Sequence, residues 1–454
     1  VLGDHNPIIE AGVLGLADFY RKRAVTPLEV FQAMRDRIDR LDGAIRAMVD
    51  LDPAGERAAA ASAARWRAGR PKGLLDGAPI AVKANIAVMG CAWTAGIAAL
   101  RGETAQADAV ATARLRRAGA VIIGLTSLHE GALGAVNDGP LYGKCYNPLK
   151  PGYTPGGSSG GSGAALAAGF AAGALGTDTM GSVRIPAAYC GVCSLKPTYG
   201  VVSQRGLRNL SFTLDHIGPM ARRIEDVAAI FGVIAAPDPL DPYAVDRRPA
   251  AQRPVDLAGL TLGRLRFEDQ VEVEPGVHAA FEAALGVWRR LGVRIIDVRL
   301  QDYVFAAGRR HGLLISEAEG AHVLAGAMAA DPQGFSPQFA RLLAYGRDAP
   351  AVRLAAAYDM VAHARRTARL AFEVCDALVS PTAPQAAFAH ETPAPVNQAD
   401  FTAFANFAGV PAVAVPMGRG REDLPVSLQI MTPWFADRLA LDLAQRFAGV
   451  GAKP

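Results

Sequence analysis

Cysteine is scarce in this chain: five residues in 454, at positions 91, 145, 190, 193 and 375. An odd, sparse set argues against a disulfide framework and fits a reducing compartment, so a cytoplasmic setting is expected. Cys190 and Cys193 stand at CxxC spacing, but no second pair completes a zinc site, and they read as structural thiols. Long apolar runs are missing too. The longest small-apolar stretch, residues 164–175, carries two glycines and falls short of the ~18 residues of a membrane span. It reads as a buried helix, so no membrane partner is expected. No basic segment followed by an apolar core opens the sequence, so no secretory leader is expected in it. An excess of one charge is also absent. The 47 Lys and Arg face 43 Asp and Glu, for a net charge of +4, with no block of like charges. That balance speaks against a nucleic-acid partner. None of the eight histidines falls in a metal-binding spacing such as HExxH or marks itself as a triad base.

What is present is half apolar and one fifth charged, the composition of a globular protein with a large core. Residues 7–70 read as helices. TPLEVFQAMRDRIDRLD opens with a Thr cap and Pro at the first helical position, and DPAGERAAAASAARWRAG is Ala-rich. GAPIAVKANI then reads as a buried strand, and DAVATARLRRAGAVIIGLTS as a helix, a Gly stop and a strand. ALGTDTMGSVRIPAAYCGV reads as strand, loop, helix. LTLGRLRF, VHAAFEAALGVWRRLG and VRIIDV form a strand–helix–strand unit. Residues 233–256 read as an exposed connection and residues 301–375 as largely helical. DALVSPT and AVAVPMG read as late core strands. This alternation predicts an α/β fold with a parallel or mixed sheet.

The segment GGSSGGSG, residues 156–163, contains three serines and no large side chain. It flows into a helix, so it is not a linker. A glycine-rich loop opening a helix can cradle phosphate, but the lysine of a P-loop is missing. GxSxG occurs twice in it, yet a nucleophile elbow needs a strand just before the serine. The preceding NPLKPGYTP holds three prolines instead.

The wider stretch 83–184 is more specific. GGSSGGSGAALAAGFAAGALGTDTMGSVRIPA, with GAPIAVKANI upstream, resembles the amidase signature family. Ser182 follows Ser158 by 24 residues, which fits that pattern. RAGAVIIGLTSLHE, YNP, KPTYGVVSQRG, LDHIGPMAR, AGVPAVAVP and LPVSLQI extend the likeness over roughly residues 8–445. The resemblance implies a single α/β domain over 1–454, with a mixed sheet covered by helices on both faces. Residues 1–70 would be N-terminal helices, 71–232 the signature core, and 301–375 a variable helical region over the pocket.

Carried over residue by residue, the resemblance implies a Ser-Ser-Lys triad. Ser182 would be the nucleophile, Ser158 the bridging serine after a cis Gly157–Ser158 bond, and Lys83 the base. The N–H groups of Thr179, Met180, Gly181 and Ser182 would form an oxyanion hole. Gly157, Ser159, Asp178 and Arg184 would support the site, with Asp178 and Arg184 bracing the loop. Met180 and Leu133 would line the substrate pocket. The roles make physical sense. A serine hydroxyl needs a base to take its proton, and a lysine can serve only when neutral, a state that burial favours. Met180 stands where many members carry Gly, and Ala84 where Asp often follows the lysine. Leu125 replaces a common lysine, and Ser427 a frequent Gly. Arg341 and Arg347 read as solvated helix arginines.

The resemblance implies no cofactor and no metal. The expected activity is hydrolysis of a C–N bond beside a carbonyl in a small or medium amide, with carbamates (urethanes) and ureas as related substrates. The alternative is a glutamine-dependent amidotransferase A-type subunit that works with a partner. A catalytically silent interaction protein is the third reading. The sequence leaves open a monomer, a homodimer or assembly with a partner subunit.

Overall fold

The computed structural model describes residues 6–247 and 256–451. Its frame is one eleven-stranded sheet. In chain order the strands are β1 (Met48–Leu51), β2 (Pro79–Lys83), β3 (Val121–Thr126), β4 (Gly173–Asp178), β5 (Cys193–Lys196) and β6 (His216–Ala221). They continue as β7 (Thr261–Leu265), β8 (Arg294–Val298), β9 (Ala377–Pro381), β10 (Ala412–Arg419) and β11 (Pro425–Met431). Their spatial order is β1-β3-β2-β4-β6-β5-β10-β11-β9-β7-β8. The sheet is mixed. β3, β2 and β4 run parallel, as do β9, β7 and β8, and the strands between these groups pair antiparallel.

β2, β3 and β4 are buried along their whole length. Strands covered on both faces carry near-continuous apolar residues, which is why PIAVK and VIIGLT stand out in the sequence. Successive residues of a strand face opposite sides. On β4, Gly173 lies under Ile230 of the helix Ile224–Ile234, and Gly176 lies under Ser159 and Val183. Both faces are therefore covered.

The helix Pro27–Ile45 starts as its sequence predicts. Thr26 and Glu29 form a reciprocal capping box, and Pro27 occupies the first turn. The strand–helix–strand unit closes as parallel β7 and β8 around the helix Pro275–Arg290. Residues 305–372 are helical in four pieces, Phe305–Val323, Ala325–Ala330, Pro337–Asp348 and Ala351–Phe372, with a short 3-10 turn among them.

Two sequence expectations need correction. Residues 7–70 are not all helical: Met48–Leu51 form β1, the edge strand, paired antiparallel with β3. β5, β6 and β11 add strands beyond those expected, and β6 contains Gly218 and Pro219. The connection expected over 233–256 falls partly outside the described residues, at 248–255. All five cysteines are buried and unpaired. Among the described residues, no helix is long and apolar enough to cross a membrane.

Candidate functional site

Three segments meet at the C-terminal ends of β2 and β4. Lys83 is the last residue of β2, and its side chain is fully buried. Its Nζ donates to Ser158 Oγ at 2.7 Å and to Thr177 Oγ1 at 2.7 Å. Burial pulls the Lys83 ammonium down to about 7, although the charges of Asp215 and Asp178 favour its charged form. A large fraction of this amine is thus neutral near pH 7 and able to accept a proton.

The three serines of the glycine-rich loop have separate tasks. Ser158 follows a cis peptide bond from Gly157, its hydroxyl meets Lys83, and its carbonyl accepts the His129 N–H at 3.2 Å. Ser159 Oγ clasps β4: it donates to Thr177 O at 3.0 Å and accepts the Thr177 N–H at 3.1 Å. Ser162 Oγ bonds Thr126 Oγ1 at 2.8 Å and Leu175 O at 3.2 Å, joining β3 to β4. Gly157 is required by space. A Cβ there would come within 2.8 Å of backbone atoms of Gly134, Ala135 and Val136.

The loop after β4 carries Ser182, which is only partly buried, unlike Lys83 and Ser158. Its carbonyl accepts the Ser159 N–H at 3.1 Å, which ties the two loops together. Beneath this loop lies a buried ion pair. Arg184 donates through Nε to Asp178 Oδ2 at 3.0 Å and through Nη2 to Asp178 Oδ1 at 2.9 Å. Both side chains are fully buried. Burial alone would raise the Asp178 carboxyl, but the Arg184 guanidinium and Asn406 hold it well below the usual carboxylate range. Arg184 also reaches Thr402 O, Gln429 Oε1 and Asn406 Oδ1 at 2.9, 2.6 and 2.6 Å. One guanidinium thus links the loop to β11 and to the helix Asp400–Ala408.

Asp178 further accepts the Gly181 N–H at 2.7 Å and the Val183 N–H at 3.2 Å. Gly181 is one of the four residues whose amides the sequence expects at an oxyanion hole. Its N–H is engaged inside the protein by Asp178. Thr179 is held by its own hydroxyl, which donates to Asp215 Oδ1 at 2.7 Å. Burial pushes Asp215 up to about 6 against the hydrogen bonds it accepts.

Met180 is half-buried. Its carbonyl accepts from Thr402 Oγ1 at 2.6 Å, and its sulfur lies over Gly312 of the helix Phe305–Val323. A Cβ at Gly312 would stand 2.4 Å from that sulfur. Leu133 is buried beside the short 3-10 turn Glu130–Ala132. Glu130 Oε1 of that turn accepts the Ser336 N–H at 2.9 Å, fixing the start of the helix Pro337–Asp348. The 301–375 region therefore touches the site at Met180 and the turn beside Leu133. Arg341 and Arg347 are exposed, and Arg347 forks onto Asp348 at 2.8 and 3.0 Å.

Sequence reasoning did not single out Thr177, Asn85, Asp215 or Asn406. Asn85, Thr177 and Asp215 lie inside motif segments already noted, GAPIAVKANI, GTDTMGS and LDHIGPMAR, but nothing local shows where their side chains point.

A family model described as Amidase matches residues 29–441. The A subunit of the glutamyl-tRNA(Gln) amidotransferase of Thermus thermophilus is 37% identical over 455 residues, covering 94% of this chain and 95% of that protein. Among solved structures, a chain from a vestigial protein complex described as revealing the origins of an s-triazine catabolic enzyme superposes with a TM-score of 0.90. It is 30% identical and covers 98% of this chain and 100% of its own. The native peptide amidase of Stenotrophomonas maltophilia gives a TM-score of 0.84 at 30% identity, over 98% of this chain and 97% of that one.

Proposed function

The chain belongs to the amidase signature family, and from that membership and the site geometry we propose that it cleaves a C–N bond beside a carbonyl through an acyl-enzyme on Ser182. The observation that carries this reading is the 2.7 Å bond between the buried Lys83 amine and Ser158 Oγ. Neutral Lys83 takes the Ser158 proton as Ser158 Oγ takes that of Ser182. Ser182 Oγ bonds to the carbonyl carbon, and the carbonyl oxygen gains the negative charge. The amides of Thr179, Met180 and Ser182 stabilise that oxyanion, and each such donor contributes about 3–4 kcal/mol in related sites. When the intermediate collapses the C–N bond breaks. The proton returns from Lys83 through Ser158 to the leaving nitrogen. Water then attacks the acyl-enzyme and frees Ser182. In this reading Met180, whose sulfur lies over Gly312, and Leu133 line the substrate pocket.

For the substrate, the amidotransferase reading has the wider sequence support. The relatives with 36–37% identity across 90% or more of this chain are glutamyl-tRNA(Gln) amidotransferase A subunits. In this reading the amide is that of glutamine, ammonia is the leaving group, and a partner subunit uses it. A stand-alone hydrolase of small amides, carbamates or ureas is the second reading. It draws support from the TM-score of 0.84 to the peptide amidase.

A mass-spectrometric panel of glutamine, aliphatic amides, anilides, aryl carbamates and biuret, run on the purified chain with Ser182→Ala as control, separates the two. Activity confined to glutamine supports the amidotransferase reading. Turnover of anilides or carbamates supports the stand-alone hydrolase. Turnover that survives in Ser182→Ala refutes the acyl-enzyme.

A further inference from the structure

We propose that Thr177 is a positioning residue for Lys83, and that its hydroxyl oxygen holds the amine so that its lone pair is left for Ser158. This inference rests on the reading of Lys83 as the base.

Thr177 lies near the end of β4, a strand buried along its whole length, where a hydroxyl must find partners. Its partners converge on the site. Lys83 Nζ donates to Thr177 Oγ1 at 2.7 Å, and Asn85 Nδ2 donates to the same oxygen at 3.2 Å. Asn85 is itself fixed, because its carbonyl accepts the Trp93 Nε1–H at 3.1 Å and the Arg208 N–H at 2.8 Å. Ser159, the neighbour of Ser158, holds the Thr177 backbone from both sides. Thr177 and Ser158 are thus locked to each other as well as to Lys83.

Proton counting gives the role. A neutral lysine has two N–H bonds and one lone pair. With one N–H on Thr177 Oγ1, the lone pair can face Ser158 Oγ and take its proton. The ammonium that forms then donates to both oxygens. Without Thr177 Oγ1 it has Ser158 alone, and the neutral amine is free to turn its lone pair away. The other ionisable groups around Lys83 are Asp178 at the end of β4, Asp215 just before β6, and His129 after β3. None of them is a hydrogen-bond partner of Nζ. A hydrogen bond to the charged form raises a lysine pKa, so losing Thr177 Oγ1 lowers it.

The test is the rate at which a fluorophosphonate probe labels the full chain, followed by intact mass from pH 5 to 9. Labelling forms the serine Oγ–P bond, breaks P–F, and passes the hydroxyl proton to Lys83. Thr177→Val keeps the shape and removes the oxygen. We expect its plateau rate to fall roughly 10- to 100-fold and its acidic limb to move to lower pH by about half a unit to one unit. Thr177→Ser should restore most of both. Should the valine variant fail to fold, Thr177→Cys, with a weak acceptor in place of the oxygen, carries the same expectation. Wild-type rate and limb in Thr177→Val or Thr177→Cys overturn the proposal, as does a Thr177→Ser variant as slow as the valine one. Lys83→Ala in the same assay separates the two levels. If it labels as fast as wild type, the base reading falls and takes this role with it. If it is silent while Thr177→Val labels normally, only the Thr177 role falls.

Discussion

Arg184→Leu is the substitution that most directly tests how the Ser182 loop is held. The guanidinium is fully buried and donates to Asp178, Thr402 O, Gln429 and Asn406. Replacing it leaves the Asp178 carboxylate buried with Asn406 and two backbone amides as its remaining donors. Breaking one side of a buried pair costs about 3–5 kcal/mol. At an unfolding entropy of about 2.1 cal/mol/K per residue, that corresponds to a Tm lower by roughly 3–5 °C for a chain of this length. The pH dependence has a definite sign. In the wild type the Asp178 pKa is depressed, so its stabilisation is present above the ordinary Asp pKa of about 3.9 and is lost as pH falls below it. In the variant, burial is opposed by fewer partners and the pKa rises. The folded state then keeps a proton that the unfolded chain has released, and stability falls as pH increases above about 4. The Tm deficit against wild type should therefore be larger at pH 8 than at pH 5, read by thermal denaturation at both. Equal Tm values for variant and wild type at pH 8, or a deficit that does not change with pH, would refute this account of the pair.

Two further outcomes are expected. Because burial brings Lys83 to about 7 and only the neutral amine can accept a proton, kcat/KM on any accepted amide should fall about tenfold per pH unit below 7 and level off above it. A profile flat from pH 5 to 8 contradicts the assignment. Gly157→Ala places a Cβ 2.8 Å from the backbone of residues 134–136, which cannot yield as a side-chain tip would. It should lower activity at least tenfold, and a variant with wild-type kinetics would show that this contact is not needed.

How much of this was legible in the sequence depended on range. β2 and β3 stand out because buried strands are continuously apolar between Gly and Pro stops, and Pro27–Ile45 because its cap is local. β1 escaped notice because MVDL is four residues long between two helices. β6 escaped because Pro219 and Gly218 break the usual strand composition. Lys83, Ser158 and Ser182 were legible as a motif pattern, and the structure adds the Lys83–Ser158 bond. Arg184 was expected to pair with Asp178, six residues away, and it does. Its contacts to Thr402, Asn406 and Gln429 lie more than 200 residues along the chain, where no local pattern could signal them. The engagement of the Gly181 amide by Asp178 and the position of Thr177 over Lys83 are likewise products of the assembled loop.

The central claim is that Ser182, rather than Ser158, Ser159 or Ser162, is the nucleophile. It is tested most directly by labelling the wild-type chain with a fluorophosphonate and locating the adduct by peptide fragmentation. The account predicts a single adduct on Ser182, absent in Ser182→Ala. An adduct on Ser158, or one that persists in Ser182→Ala, would contradict it.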